Sequence, residues 1–255
     1  MTARRPVGRV EEYLYERLER GPVHLTLIDP DKSPGEHAAR IARGAVELGS
    51  DVILLGGSTG ISLEVMGAAA DAIKREVEAP VVIFPEGATS LTSKADAVLF
   101  MSLLNSRNLD LVIRTHARAA PVVRKMGLEA IPLGYLVIAP GMRVGEVGQV
   151  DAVPRDDLDA AAGWALAAEL LGMRFVYLEA GSGAPSPVPA PMVRAVRSAV
   201  SVPLLVGGGI RTGPEARALL DAGAQLLVTG TVTEEEGLGA GFRAILEEVR
   251  HDRAG

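Results

Sequence analysis

Two apolar stretches near the carboxyl end of the chain run directly into bare backbone: Leu204-Leu205-Val206 meets Gly207-Gly208-Gly209, and Leu226-Leu227-Val228 meets Thr229-Gly230-Thr231. A third, Tyr177-Leu178-Glu179, meets Ala180-Gly181-Ser182-Gly183. Glycine loses more backbone freedom on ordering than any other residue, so clusters of it at strand ends call for a reason. Tight turns of small residues can aim several backbone N–H groups at one anion, and a side chain there would block the approach. The spacing therefore points to a phosphate cradle floored by Gly208, Gly209, Gly230 and Thr231, with Gly181 to Gly183 closing it. Simple turn-making competes for any one cluster; three on consecutive strands favour the cradle. No lysine lies in these loops, so backbone donors would carry most of the binding.

Two further sets of polar residues end apolar runs. Asp29-Pro30-Asp31 and Gly56-Gly57-Ser58 would place a carboxylate and a hydroxyl at adjacent strand ends. Mg²⁺ accepts such a sparse oxygen set, since it keeps several waters and takes other ligands from substrate phosphates. Asp before Pro also starts turns, and both readings stand on spacing alone. Glu179 lies two residues beyond Tyr177 and so shares its face of the strand. A carboxylate there must be solvated, paired or functional; it could take a proton from a hydroxyl or pair with a neighbouring cation. None of the four histidines has zinc-ligand spacing. Gly181-Ser182-Gly183 lacks the third glycine of a dinucleotide fingerprint, and no Walker sequence occurs.

The elements that must hold these residues are short β-rich runs: 23–29, 51–55, 80–84, 96–100, 133–139, 174–179, 203–206 and 225–228. Most are separated by Ala/Arg/Glu-rich segments of helical spacing. Eight strands alternating with helices in 255 residues predict one (β/α)₈ TIM-type barrel, with 1–22 as an N-terminal helical extension. A doubly wound open sheet would share the alternation. The connection from strand three to strand four is too short for a full helix, and 140–155 reads as a long Gly/Pro-rich loop. Strand ends opposite the proposed site show only ordinary turn residues, and His116, in a polar helical run, reads as a surface residue or one lining the mouth. The segment 157–173 is apolar nearly all round, so a partner subunit or the chain's own long loop must cover it, with Trp164 as an anchor.

Composition narrows the function classes. A net charge of −6, without a basic tract interleaved with aromatics, argues against a nucleic-acid partner. The absence of cysteine removes thiolate chemistry and fits a cytoplasmic protein. No apolar run approaches the ~18 residues needed to span a bilayer.

Taken together and in order, HLTLIDPDK, LLGGSTG, FMSLLNSRN, YLEAGSGAP, GGGIRT and VTGT, spread over 24–231, resemble the geranylgeranylglyceryl phosphate synthase family. The resemblance implies a barrel prenyltransferase that joins sn-glycerol 1-phosphate to geranylgeranyl diphosphate with Mg²⁺ and releases diphosphate. It implies Asp29 and Ser58 as magnesium ligands, and Tyr177, Leu178, Glu179, Ala180, Gly181, Ser182, Gly183, Gly208, Gly209, Gly230 and Thr231 as the glycerol-phosphate site; in such a site Glu179 is the candidate catalytic base for the glycerol hydroxyl. One branch of the family carries a lysine two positions before the first aspartate; Leu27 stands there, so this chain resembles the other branch. A different prenyl length, as in heptaprenylglyceryl phosphate synthase, and a phosphosugar isomerase or lyase on a similar cradle are the alternatives. The prenyl tail implies transient contact with a membrane surface, and the apolar helix a homo-oligomer. Glu86, at the exit of strand three, has no assigned role.

Overall fold

The apolar runs become eight parallel strands that close on themselves. In the computed structural model, which describes residues 7–56, 60–87 and 90–254, β1 (Val23–Ile28), β2 (Val52–Gly56), β3 (Val81–Phe84), β4 (Ala97–Leu103), β5 (Glu129–Val137), β6 (Phe175–Glu179), β7 (Leu204–Gly207) and β8 (Leu226–Thr229) pair in chain order, and β8 pairs back with β1. Helices α2 (Glu36–Glu47), α3 (Leu63–Glu76), α4 (Thr115–Met126), α6 (Leu158–Leu170), α7 (Ala190–Ala199) and α8 (Gly213–Asp221) lie in the connections, and α10 (Ala240–Ala254) follows β8. The β3–β4 connection has no α-helix among its described residues, as its length predicts.

Period-two alternation sorts each strand. Leu25 of β1, Leu54 of β2 and Val228 of β8 fill the barrel interior, whereas Ile28, Ile53 and Leu227 face outward into the layer beneath the helices. Most strand limits lie within one residue of the sequence expectation, and those of β4 and β5 depart further. β4 continues to Leu103, and β5 begins at Glu129 rather than at residue 133 and ends at Val137 rather than at residue 139. Pro132 reads as a strand breaker, but its carbonyl still accepts the N–H of Arg174, 3.1 Å away.

The end of the barrel away from the glycine clusters is more than ordinary turns. Helix α1 (Arg9–Leu18) buries Val10 and Leu14 with the barrel's interior side chains. Glu129 accepts the N–H groups of Val10 and Glu11, each at 2.8 Å, and so satisfies donors that a helix start leaves orphaned. The buried carboxylates complete the closure: Glu11 pairs with Arg174, and Asp51 pairs with both Arg17 and Arg253 while accepting the His24 N–H at 2.9 Å.

His24 is wholly buried between the barrel and α10, with Nδ1 3.1 Å from Ser50 Oγ, Nε2 3.0 Å from Thr229 Oγ1 and the ring against the Phe242 edge. Burial and then the charge of Arg253 push its pKa down to about 3. The folded barrel thus refuses a proton that the unfolded chain accepts near pH 6.5, and stability falls as pH drops below that value. From pH 7 to pH 5 the unfolding free energy of the wild type, read from denaturant titrations, should fall by about 2 kcal/mol more than that of His24→Asn. Equal pH responses of the two proteins would mean that the imidazole is protonated inside the fold.

Candidate active site

The carboxyl ends of the strands surround a cavity of about 320 Å³. Its wall has two chemistries. One part is polar and carries Asp29, Glu179, Ser182 and the glycines that follow β7 and β8. The other is apolar: Phe100, Leu103, Leu111, Ala119, Val123 and Val147, drawn from β4, α4, the π-helical turn Asp110–Arg114 and α5 (Met142–Val147). That last helix interrupts the expected structureless loop at 140–155 and gives the cavity Arg143, Val144 and Val147. Mostly apolar walls with a few convergent polar groups are what a binding site for an amphiphilic small molecule requires.

Glu179 ends β6 and is almost entirely removed from solvent. Its Oε1 accepts the Gly181 N–H at 2.7 Å, and the hydroxyls of Tyr177 and Tyr135 donate to the same carboxylate. The two rings meet edge to face with centroids 5.0 Å apart, and Phe84 packs edge-on against both. Burial raises the proton affinity of Glu179 above the ordinary carboxylate range, although its three donors work against that rise. Burial, followed by the adjacent carboxylate charge, drives both phenols well above their usual pKa, so they remain neutral donors. No cation takes the carboxylate's charge among these contacts; Glu179 is held by hydrogen-bond donors rather than by an ion pair.

The glycines are placed as a cradle requires. Gly208 and Gly209 follow one another at φ +78° and +74°, in the left-handed region. A Cβ on Gly208 would lie 2.2 Å from Glu179 Oε1 and 2.6 Å from the Gly181 nitrogen. Helix α9 (Thr231–Glu236) starts directly after Gly230. Thr231 Oγ1 bridges the neighbouring loop, accepting the Gly183 N–H at 3.1 Å and lying 2.9 Å from Ser182 Oγ. Two of the anticipated amides, those of Gly181 and Gly183, are thus spent orienting Glu179 and Thr231. Tyr177, Glu179, Ser182, Gly208, Gly209, Gly230 and Thr231 line the cavity, whereas Leu178 and Ala180 face the outer layer and contribute backbone alone.

Asp29 is buried at the end of β1 and lines the same cavity. Its Oδ1 accepts the Asp31 N–H at 3.0 Å, so the turn chemistry is real, and the carboxylate nonetheless borders the polar end. Ser58 lies outside the described residues. No group of three His, Cys, Asp or Glu side chains gathers among the described residues. A hard cation that leans on substrate phosphates fits one buried carboxylate better than it fits a soft or four-ligand site.

Three residues escaped a reading of the sequence or were left open by it. Tyr135 sits mid-strand in an apolar run, and only the barrel's closure brings it to Glu179. His116 is half-buried, donates its Nε2–H to the Met101 carbonyl at 2.7 Å and packs edge-on against Phe100 in the apolar wall, so of its two readings the residue lining the mouth holds and the solvated surface residue does not. Glu86 accepts the Gly60 N–H at 2.6 Å and so ties the exit of β3 to the segment after β2.

A model of the PcrB family matches residues 15–249. The chain belongs to that family. Among its relatives, the geranylgeranylglyceryl phosphate synthase of Methanothrix thermoacetophila is 50% identical over 233 residues, 91% of each chain. That of Pyrococcus horikoshii is 46% identical over 245 residues, 96% of each chain. The crystal structure of (S)-3-O-geranylgeranylglyceryl phosphate synthase from Thermoplasma acidophilum, in complex with its substrate sn-glycerol-1-phosphate, superposes with a TM-score of 0.91 at 43% identity, covering 96% of this chain and 100% of that one. The synthase from Thermoplasma volcanium gives 0.91 at 35% identity, covering 96% and 98%. Within the PcrB family, then, the two-part cavity at the strand ends is the place to look for the reaction.

Proposed function

We propose that this PcrB-family barrel is a prenyltransferase that forms an ether bond between sn-glycerol 1-phosphate and geranylgeranyl diphosphate. The observation that carries this reading is one cavity in which a buried carboxylate stands where a glycine-lined polar end meets an apolar wall. A phosphosugar enzyme needs the first half and has no use for the second. Family membership and the named relatives support the same activity.

In this mechanism the glycerol phosphate anchors at Gly208, Gly209, Gly230 and Thr231, and its free primary hydroxyl reaches Glu179. The hydroxyl oxygen bonds to C1 of the prenyl chain as the C1–O bond to diphosphate breaks, and Glu179 takes the proton. The electron pair of the broken bond leaves on the diphosphate. Holding both reactants in register supplies several kcal/mol of the barrier. Magnesium, held through Asp29 and Ser58, would offset the charge of the departing diphosphate. Tyr135 and Tyr177 keep the carboxylate aimed, and Phe84 helps keep water from the loosening allylic centre.

Residues outside the cavity extend the proposal. Helix α6 exposes Trp164, Leu166 and Leu170, and Leu171 follows, which supports a second copy of the chain against that face. No helix among the described residues is long and apolar enough to cross a membrane. The apolar tail of the donor favours its collection by transient contact at a membrane surface, from the cytoplasmic side.

The test is a product assay. With glycerol 1-phosphate, geranylgeranyl diphosphate and Mg²⁺, the ether product should form, and it should disappear with EDTA. A ladder of prenyl diphosphates then reads chain length, with geranylgeranyl expected to give the highest kcat/KM. No product from any donor would reject the reading.

A further inference from the structure

The glycine cradle accounts for one anion, but the proposed reaction brings two, and the second carries more charge. Cations placed for it stand at the mouth of the same cavity. Lys32, in the turn after β1, extends its Nζ to 2.7 Å from Glu234 Oε2 on α9 and 3.8 Å from Asp29 Oδ2. Arg143 reaches the cavity from α5, across the barrel, near enough for its like charge to be felt at Lys32. All four side chains line the cavity. The Lys32–Glu234 pair joins the turn after β1 to α9, 202 residues apart in sequence, and is partly exposed on both sides. Such a pair contributes little stability, so a multivalent anion can take its cation.

We propose that Lys32 and Arg143 form a clamp for the diphosphate of the prenyl donor, and that Glu234 is a built-in competitor that holds Lys32 when the clamp is empty and reclaims it as diphosphate departs. This inference rests on the function proposed above. Its geometry is specific to the second anion: Lys32 leans toward Asp29, the carboxylate assigned to the cation side, while Arg211, the basic residue of the loop that carries Gly208 and Gly209, donates to the Ala184 carbonyl and is not part of the cavity wall. Glu234 lies three residues beyond Thr231, so the competitor is carried by the helix that opens from the cradle itself.

Calorimetric titration with inorganic pyrophosphate in Mg²⁺ buffer, and separately with sn-glycerol 1-phosphate, tests the clamp. Lys32→Gln and Arg143→Gln should each weaken pyrophosphate by roughly tenfold, the size of one charge-assisted contact, and leave glycerol phosphate within about twofold. Lys32→Arg should restore most of the loss. Glu234→Gln should tighten pyrophosphate and strengthen product inhibition by it, by about threefold or more, because the competitor has lost its charge. The clamp is overturned if Lys32→Gln binds pyrophosphate like the wild type, if glycerol phosphate weakens as much as pyrophosphate, or if the wild type binds glycerol phosphate alone. A wild type that binds neither anion would instead overturn the prenyltransferase reading on which the clamp depends.

Discussion

Glu179→Gln is expected to lower kcat by about 10²–10⁴-fold while the affinity for glycerol 1-phosphate stays within about threefold, the signature of a lost general base. Glutamine keeps the length and can still accept the Gly181 N–H with its carbonyl, so the loop should hold its shape. Its amide cannot take a proton from the attacking hydroxyl. The pH profile adds a second readout. Burial raises the proton affinity of Glu179, and the basic form is lost as pH falls through that raised value; the wild type should therefore show an acid limb in kcat/KM that Glu179→Gln lacks. Tyr135→Phe removes a donor that favours the ionised form, so in that variant the limb should move to higher pH. Turnover of Glu179→Gln at the wild-type rate would remove Glu179 from the chemistry and leave it as a loop brace.

What the sequence reveals of this architecture follows the range of the interactions concerned. Strand identity and the glycine clusters depend on neighbours in the chain: Leu204-Leu205-Val206 before Gly207-Gly208-Gly209 is readable because a buried parallel strand must be continuously apolar and the turn after it must be bare. The same holds for Asp157, whose side chain accepts the Ala160 N–H at 3.0 Å and starts α6 where the sequence places a helix. Long-range pairing hides the rest. Glu129 looks like a loop residue before Pro132 until α1 offers it two amide donors from the far end of the chain. His116 has polar neighbours in sequence, yet its contacts are Met101 and Phe100 on β4. Tyr135 meets Glu179 only through the pairing of β5 with β6, where it lies opposite Tyr177. The Lys32–Glu234 pair exists only because closure sets β8 beside β1. Local chemistry therefore marks where a site lies, and barrel closure decides which distant side chains complete it.

The second large effect is expected from Gly208→Ala, a change of one methyl group. At φ +78° an L-residue carries strain of order 1–3 kcal/mol, which alone would lower stability without selecting a function. The contact is the selective part. The added Cβ would stand 2.2 Å from Glu179 Oε1, 2.6 Å from the Gly181 nitrogen and 2.9 Å from the Ala180 nitrogen, and two of these are backbone that cannot swing aside. Relief requires the β6 loop to move away from the β7 loop, which displaces the base and widens the anion floor together. Both kcat and the glycerol-phosphate affinity should therefore fall, each by at least about tenfold, and kcat/KM by about 10²-fold or more. Gly127→Ala isolates the strain: it shares the left-handed backbone, at φ +67°, but a Cβ there meets nothing within 4 Å, and it caps α4 away from the cavity. That variant should lose about 1 kcal/mol of stability and keep its kinetics. If Gly208→Ala behaves like Gly127→Ala, with stability reduced and both kinetic constants intact, the loops after β6 and β7 do not share one site, and the anion must be bound by other groups.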